Sequence, residues 1–173
     1  DAPAMELRLF LLIAVSFALG YLVKGRWGKP SPAIWKDHIT GLPSRKDFEH
    51  SLELGLKTRC EMALIIIDLD NFKTVNDQQG HLAGDSLLQK AASTLLHETS
   101  ELGTLFRWGG DEFVLLITES PEELGSLRTQ IEERFEAANI GLSCSTGSAR
   151  QQTSDSAAAF FQRADQNLYS NKS

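Results

Sequence analysis

Residues 104–118 read TLFRWGGDEFVLLIT, two short apolar runs separated by two glycines and an aspartate. This pattern predicts a β-hairpin with strands at Thr104–Trp108 and Glu112–Thr118, because glycine and aspartate favour a tight turn between β-forming segments. Asp111 and Glu112 bring two carboxylates to the tip of that hairpin. Glycines beside them let the backbone come close to a ligand. The hairpin therefore predicts an antiparallel sheet and, at its tip, a candidate site.

Helices and strands alternate on both sides of the hairpin. Residues 62–69 (MALIIIDL) form a continuous apolar run that is typical of a buried strand. The other predicted elements are a strand at Ile140–Ala149 and helices at Ser44–Arg59, Leu82–His97, Pro121–Ala138 and Ser154–Asn171. Together they predict an α/β (α+β) fold, in which helices flank a central, mostly antiparallel sheet.

A third carboxylate, Asp68, stands at the end of the buried strand. If Asp68, Asp111 and Glu112 converge at one end of the sheet, they form a set of oxygen ligands that suits Mg²⁺. A hydrated Mg²⁺ ion can bridge phosphates and support an in-line displacement. Turns and strand ends are also rich in aspartate and glycine for purely structural reasons, so spacing alone leaves this question open.

Composition indicates a globular protein that does not bind nucleic acid through the phosphate backbone. Hydrophobic residues make up 42% of the 173 residues, enough for a real core. Lys and Arg number 17 against 23 Asp and Glu, which gives a net charge of −6. Backbone binding to nucleic acid needs a basic face instead. The two cysteines, Cys60 and Cys144, lie far apart without a metal-ligand spacing, which favours a reducing compartment over a disulfide framework.

The N-terminal segment is apolar on all sides over residues 7–23. A helix of that kind is either buried or in lipid. Its length is at the short end for a membrane span, and Lys24, Arg26 and Lys29 follow it on the side that would stay in the cytoplasm. Residues 5–26 are therefore predicted to be a membrane anchor or a dimerisation helix. A cleaved signal peptide is the competing interpretation, although no typical cleavage site follows.

The rest of the domain organisation follows from this segment. Residues 1–4 precede Met5 and are a candidate non-native remnant. Residues 27–36 contain two prolines and glycine and predict a linker. The globular domain is then predicted over residues 37–173. It would be cytoplasmic and held at the inner membrane by residues 7–23.

Arg107–Phe113 reads RWGGDEF and resembles the signature of the GGDEF family of diguanylate cyclases. Five other blocks resemble motifs of the same family and occur in the same order: residues 37–45 (DHITGLPSR), 68–77 (DLDNFKTVND), 80–85 (GHLAGD), 145–149 (STGSA) and 164–172 (ADQNLYSNK). One five-letter match is moderate evidence, whereas six ordered blocks are a specific signal.

The resemblance implies a fold like the palm of nucleotidyl cyclases and a reaction that condenses two GTP into cyclic di-GMP and two pyrophosphates. Each subunit of a homodimer would hold one GTP. Mg²⁺ or Mn²⁺ would be bound by Asp68, Asp111 and the carbonyl of Leu69, with Glu112 beside the metals. Asp111 and Glu112 are the implied catalytic residues, and Glu112 would help to deprotonate the attacking 3′-hydroxyl.

The resemblance also implies a set of nucleotide-binding residues. Asn76 and Asp85 would read guanine, whose N1–H and exocyclic amine can both donate to a carboxylate. Lys73 and Lys172 would contact phosphates. The other implied substrate-binding residues are Phe72, Gly109 and Gly110.

The chain departs from the family pattern at several positions. Ser100 and Gly103 stand where the inhibitory R-x-x-D motif carries arginine and aspartate, so product binding at that surface is expected to be weak. Asn167 and Asn171 stand where alanine is usual. Asp37 and Arg45, both in the first block, are expected to pair with each other. A catalytically weak GTP-binding regulatory or scaffold module is the alternative function.

Overall fold

The fold is seen in a computed structural model that describes residues 35–58, 60–118 and 123–172. The elements within those ranges are, in chain order, α1 Arg45–Thr58, β1 Ala63–Leu69, α2 Phe72–Gln79, α3 His81–Thr99, β2 Thr104–Gly109, β3 Glu112–Ile117, α4 Leu124–Ala137, β4 Cys144–Arg150 and α5 Ala157–Asn171. All of them belong to one compact unit, Ala33–Ser173.

The four strands form one sheet in the order β2-β3-β1-β4. All three strand pairings are antiparallel. The predicted fold class is therefore confirmed. The hairpin predicted from residues 104–118 is present as β2 and β3, and the apolar run of β1 is the strand between β3 and β4.

Alternation along β1 builds a core on each face of the sheet. Ile65 and Ile67 face one cluster, together with side chains of α2, α3 and α4. Leu64 and Ile66 face a second cluster, which includes side chains of α1 and α5. Both faces of β1 are buried, which explains why its sequence reads as a continuous apolar run rather than an alternating one. The site described below lies where β1 ends between these two helical layers.

Two elements differ from the sequence prediction. The sequence does not predict α2, Phe72–Gln79. It is short and buries only Phe72, so it carries no apolar repeat to detect. β4 begins at Cys144 rather than at Ile140, because Asn139 and Gly141 adopt positive φ angles of 50° and 93° and extend the turn before it.

The predicted apolar helix at residues 5–26, the remnant at 1–4 and nearly all of the linker lie outside the described residues. Among the helices that the structure describes, none has the length and apolar character needed to cross a membrane. Cys60 and Cys144 are both free thiols.

Candidate active site

Two of the predicted acids face each other across the centre of the sheet. Asp68 of β1 is the cross-strand partner of Glu112 of β3. The main-chain N–H of Leu69 donates to the carbonyl of Asp111, at 3.2 Å. Because side chains alternate along a strand, Asp68 lies on the same face as Leu64 and Ile66, which is the face covered by α5. The strand register thus brings Asp68, Asp111 and Glu112 to one end of the sheet.

The hairpin turn leaves its glycines open. β2 and β3 slip in register between Arg107 and Gly109, so Trp108 forms a bulge just before the turn. Bulges of this kind re-aim the chain and often stand next to active sites. Gly110 has φ 53°, a conformation that favours glycine. No atom lies within 4 Å of the place that a side chain on Gly109 or Gly110 would take.

Arg107 ties this turn to the start of the domain. Its Nη1 donates to Asp37 Oδ1 and its Nη2 donates to the carbonyl of Gly110, both at 2.8 Å. Burial acts to raise the pKa of Asp37, but the hydrogen bonds from Arg107 and Thr40 outweigh it and hold that pKa below its ordinary value.

The expected pair between Asp37 and Arg45 is therefore wrong. Arg45 pairs with Glu49 one helical turn away, at 2.8 Å. Its guanidinium also lies 4.1 Å from the centre of the Trp108 ring. Arg107 forms the ion pair with Asp37 because both side chains are largely buried next to the turn, whereas Arg45 is on the exposed face of α1.

Lys172 completes the acidic end of the site. It directly follows α5, and its Nζ lies 2.5 Å from Asp68 Oδ1. The side chain of Lys172 is 35% exposed. Two residues that are 104 positions apart in the sequence therefore meet at this carboxylate. The predicted phosphate-binding lysine and the predicted metal ligand are neighbours.

Burial and the proximity of other acids raise the pKa values of Asp111 and Glu112. Burial, followed by the nearby charge of Asp68, raises the pKa of Asp111. Burial also raises the pKa of Glu112, with further contributions from Asp68, Asp111 and Asp165. Lys172 opposes both effects. The excess of negative charge over positive charge is the situation that a bound divalent cation relieves.

The donor set fits such a cation only in part. Within the described ranges, no three His, Cys, Asp or Glu side chains are grouped closely enough to hold a metal alone. Mg²⁺ commonly uses one or two carboxylates and takes its other ligands from water and substrate phosphates. The predicted ligands Asp68 and Asp111 supply two carboxylates, which is the number that this mode of binding uses.

The predicted guanine-reading residues lie on the other helical layer. Asn76 is on α2, Asp85 is in the first turns of α3, and both are half-buried. A methyl group on Gly84 would lie 1.8 Å from Asn76 Oδ1. Gly84 thus lets the amide of Asn76 rest directly on α3, next to Asp85.

The remaining predicted residues on α2 lie in opposite environments. Lys73 is exposed on α2. Phe72, which was assigned to the substrate, is only 8% exposed and is part of the core cluster beneath α2.

The sequence did not reveal that Asp70 connects the loop after β1 to the start of β4. It accepts hydrogen bonds from the hydroxyls of Ser143 and Ser145, at 2.8 and 2.7 Å. This attaches the loop after β1 to the start of β4. The sequence signal was a serine at both positions flanking Cys144, but nothing local connects them to Asp70.

A cavity of about 360 Å³ lies apart from the acids. Asp70, Asn71, Thr74, Glu136 and Ser143 are among its lining residues. None of the predicted site residues lines it. We place the chemistry at the acids rather than in this cavity, because the cavity lacks the three carboxylates and the lysine.

Comparison with known proteins identifies the family of this chain. The family profile described as "Diguanylate cyclase, GGDEF domain" matches residues 34–173. The chain is 34% identical over 148 residues to the diguanylate cyclase DgcP of Pseudomonas aeruginosa, covering 77% of this chain. It is 36% identical over 144 residues to the diguanylate cyclase DgcM of Escherichia coli, again over 77% of this chain. It spans only 22% and 35% of the lengths of those two proteins.

Solved structures show the same architecture. The diguanylate cyclase SiaD of Pseudomonas aeruginosa, solved with its activator SiaC, superposes with a TM-score of 0.73 at 25% identity, over 95% of this chain and 68% of that chain. The GGDEF domain of DgcB from Caulobacter crescentus, solved with cyclic di-GMP, superposes with a TM-score of 0.68 at 25% identity, over 83% of this chain and 92% of that chain.

Proposed function

The chain belongs to the GGDEF family of diguanylate cyclases, and on this premise we propose that it condenses two GTP into cyclic di-GMP with release of two pyrophosphates. The observation that carries the proposal is the cross-strand pair of Asp68 and Glu112, with Asp111 beside them and Lys172 against Asp68. Three acids and one lysine at an open hairpin turn suit a polyphosphate substrate bound with a divalent cation.

In the proposed reaction, the 3′-oxygen of one GTP attacks the α-phosphorus of the other. A new P–O bond forms, the bond to the β-phosphate bridging oxygen breaks, and pyrophosphate leaves with that electron pair. The proton of the 3′-hydroxyl passes to the carboxylate of Glu112. A second transfer of the same kind closes the ring.

The predicted metal-binding and phosphate-binding residues each have a part in this scheme. Asp68, Asp111 and the Leu69 carbonyl would hold Mg²⁺ or Mn²⁺, which neutralises phosphate charge when it is bound. Lys172 would contact the phosphates from α5, and Lys73 would do so from α2. Gly109 and Gly110 leave room for the nucleotide against the turn. Catalysis would come mainly from positioning and electrostatics.

Guanine recognition is assigned to Asn76 and Asp85. The carboxylate of Asp85 can accept from both N1–H and the exocyclic amine of guanine, whereas adenine lacks that pair of donors. A site that leaves buried polar groups unpaired rejects the wrong base strongly, so we expect GTP to be preferred over ATP by about a hundredfold or more. Comparable turnover of ATP and GTP would refute this assignment.

One site holds one GTP, so the reaction needs two subunits that face each other. The segment at residues 7–23 is the proposed device for bringing them together, either as a dimerisation helix or as an anchor that keeps the catalytic domain at the cytoplasmic face of the inner membrane. Deleting residues 5–29 should lower the rate in dilute protein and make the rate rise more steeply with enzyme concentration. The same concentration dependence with and without the segment would contradict this role.

The proposal is tested by incubating the purified protein with GTP and Mg²⁺ and identifying the product by chromatography and mass spectrometry. Cyclic di-GMP is the expected product. Glu112→Gln should abolish its formation, and Glu133→Gln, an exposed change of the same type on α4, should not. GTP binding without turnover in the wild-type protein would overturn the proposal and favour the regulatory or scaffold alternative.

A further inference from the structure

The free edge of β4 is occupied by side chains. β4 is the last strand in the sheet order, so among the described residues only β1 pairs with it. An unpaired edge ordinarily leaves main-chain N–H and C=O groups exposed. Here the N–H of Thr146 donates to Glu132 at 2.8 Å, and the N–H of Ser148 donates to Asn167 Oδ1 at 2.8 Å. The carbonyl of Thr146 accepts from Arg128 and from Asn171 Nδ2, both at 3.1 Å.

These contacts come from two helices. Arg128 and Glu132 belong to α4, on one side of the sheet, and they also bond each other. Asn167 and Asn171 belong to α5, on the other side, and are four residues apart, so they share one face of that helix. Alanine, the residue that the family pattern places at both positions, could make neither contact. The two asparagines therefore depart from the family pattern in a way that adds contacts to β4.

The asparagines fasten the last two turns of α5. Deeper in that helix, Ala164 and Leu168 are buried against β4, and Gly147 lets the helix approach closely, since a methyl group there would lie 2.2 Å from the N of Leu168. Beyond Leu168 the burial ends: residues 169–172 are exposed. Terminal turns without such packing open easily. Asn171 supplies the tether at the position where packing stops.

Lys172 is the next residue, and its ammonium group lies on Asp68. Its own N–H donates to the carbonyl of Leu168, at 3.1 Å, so it continues the helical turn that Asn171 holds. If that turn opened, the lysine would leave Asp68. The hydrogen bond between Asn171 and Thr146 is thus a side-chain contact, one residue before Lys172, that ties this turn to β4.

We propose that Asn167 and Asn171 are positioning residues that hold Lys172 over the acidic end of the site for contact with the substrate phosphates. This inference rests on the proposed function, because the phosphate contact of Lys172 is part of it. The competing explanation is that the asparagines only protect the edge of β4. Glu132 separates the two explanations, because it bonds the same strand from α4 without touching α5.

The test compares Asn171→Ala, Asn167→Ala/Asn171→Ala and Glu132→Ala. We expect Asn171→Ala to raise the KM for GTP by about three- to tenfold with a small change in kcat, the range that loss of one tethering hydrogen bond can produce. The double variant should exceed it. Glu132→Ala should lower thermal stability but leave KM within about twofold, since a bond to the strand from α4 does not hold the lysine. Asn171→Gln, which keeps an amide donor, should recover part of the loss.

A double-mutant cycle with Lys172→Ala makes the test decisive. If Asn171 acts through Lys172, Asn171→Ala has no further effect on KM once the lysine is gone. Full additivity, or an equal rise in KM for Glu132→Ala, would overturn the inference and leave the asparagines as protectors of the strand edge.

A second measurement separates this inference from the proposed function. GTP binding is measured by calorimetry in the Glu112→Gln background, where no turnover is expected, with and without Asn171→Ala. Weaker binding in the Asn171 variant supports the positioning role even if the wild-type protein makes no cyclic di-GMP. Unchanged binding beside normal cyclase activity in the wild type refutes the positioning role and leaves the function intact.

Discussion

The two ends of β2 carry glycines in opposite situations. At its C-terminal end, Gly109 and Gly110 have open space where a side chain would stand. At the N-terminal end, a methyl group on Gly103 would lie 2.3 Å from the carbonyl oxygen of Leu116 on β3. The turn at Gly109 and Gly110, the open turn, has room for a ligand. The turn at Gly103, the closed turn, is filled by the backbone of β3. A glycine therefore does not by itself mark a binding site; its surroundings decide.

The contrast also bears on the missing inhibitory motif. Gly103 occupies the aspartate position of R-x-x-D, and Ser100 is exposed at the arginine position. The close approach of Leu116 means that the turn lacks room for a side chain at position 103, in addition to lacking the charged pair. We therefore expect the packing of the turn, as well as the missing charges, to oppose product binding at this surface.

The largest expected effect is at the open turn. Asp68→Asn and Asp111→Asn should each lower GTP turnover by at least about a hundredfold, because each removes a charge from the group assigned to the metal and the phosphates. The rate is measured at saturating Mg²⁺ and again in chelator. Full activity of both variants, or activity that survives chelation, would remove the metal from the mechanism.

Gly84 tests whether a glycine without free space around it can still contribute to substrate recognition, through the side chain that packs on it. Gly84→Ala should force the amide of Asn76 away from α3, so the preference for GTP over ATP should fall by about tenfold or more. Gly125→Ala is the matched control, since it is also helical and has open space around it. The ratio of kcat/KM values for the two nucleotides is the measurement. An unchanged ratio in Gly84→Ala would show that Asn76 does not read the base.

Substitutions in the turn at Ser100 and Gly103 should have a smaller effect, which concerns stability rather than turnover. Ser100→Arg/Gly103→Asp restores the letters of the inhibitory motif, but the new aspartate collides with β3 and should cost about 1–3 kcal/mol of stability. Ser100→Arg alone should unfold at nearly the wild-type temperature. We expect calorimetry to find no submicromolar binding of cyclic di-GMP by the double variant. Tight binding without loss of stability would show that the turn can open.

The smallest expected effect concerns the stability of the open turn. The pKa of Glu112 is raised in the folded state, so the folded protein is penalised as pH rises through that pKa and the carboxyl loses its proton. Without divalent cations, Glu112→Gln should therefore melt slightly above wild type near pH 7.5.

The same argument fixes the pH dependence of that difference. The advantage should vanish as pH falls toward the ordinary glutamate pKa of 4.5, where wild-type Glu112 is protonated too. Glu133→Gln, on the exposed face of α4, should show no such difference. A lower melting temperature for Glu112→Gln at pH 7.5 would contradict a penalty on the charged Glu112 from burial and from the neighbouring acids.

Much of the fold could be predicted because its signals are local. The run from Met62 to Leu69 has apolar side chains on both faces, which indicates a central strand before any partner is known. The hairpin at Gly109–Asp111 follows from turn chemistry alone. α2 could not be predicted in the same way, since one buried phenylalanine in eight residues leaves no period to read.

The assignment of the acids also came from the sequence, through motifs that place Asp68, Asp111 and Glu112 near strand ends. What local patterns could not give is which partner each charged group takes. Asp37 and Arg45 share a motif but do not meet, and Asp37 pairs instead with Arg107, which is 70 residues away. Burial decides this pairing, because a buried arginine that lacked the aspartate would leave its charge uncompensated.

The sequence by itself therefore determined the family, the order of the elements and the residue types at the site, since these depend on local periodicity and on motifs of adjacent residues. Only the tertiary structure decided that Lys172 lies on Asp68 and that Asn167 and Asn171 hold the edge of β4. It also decided that a side chain would collide with β3 at Gly103 but would have free space at Gly110. Each of these depends on the distance between segments far apart in the chain, which is set by how the helices pack on the sheet and has no local signature in the sequence.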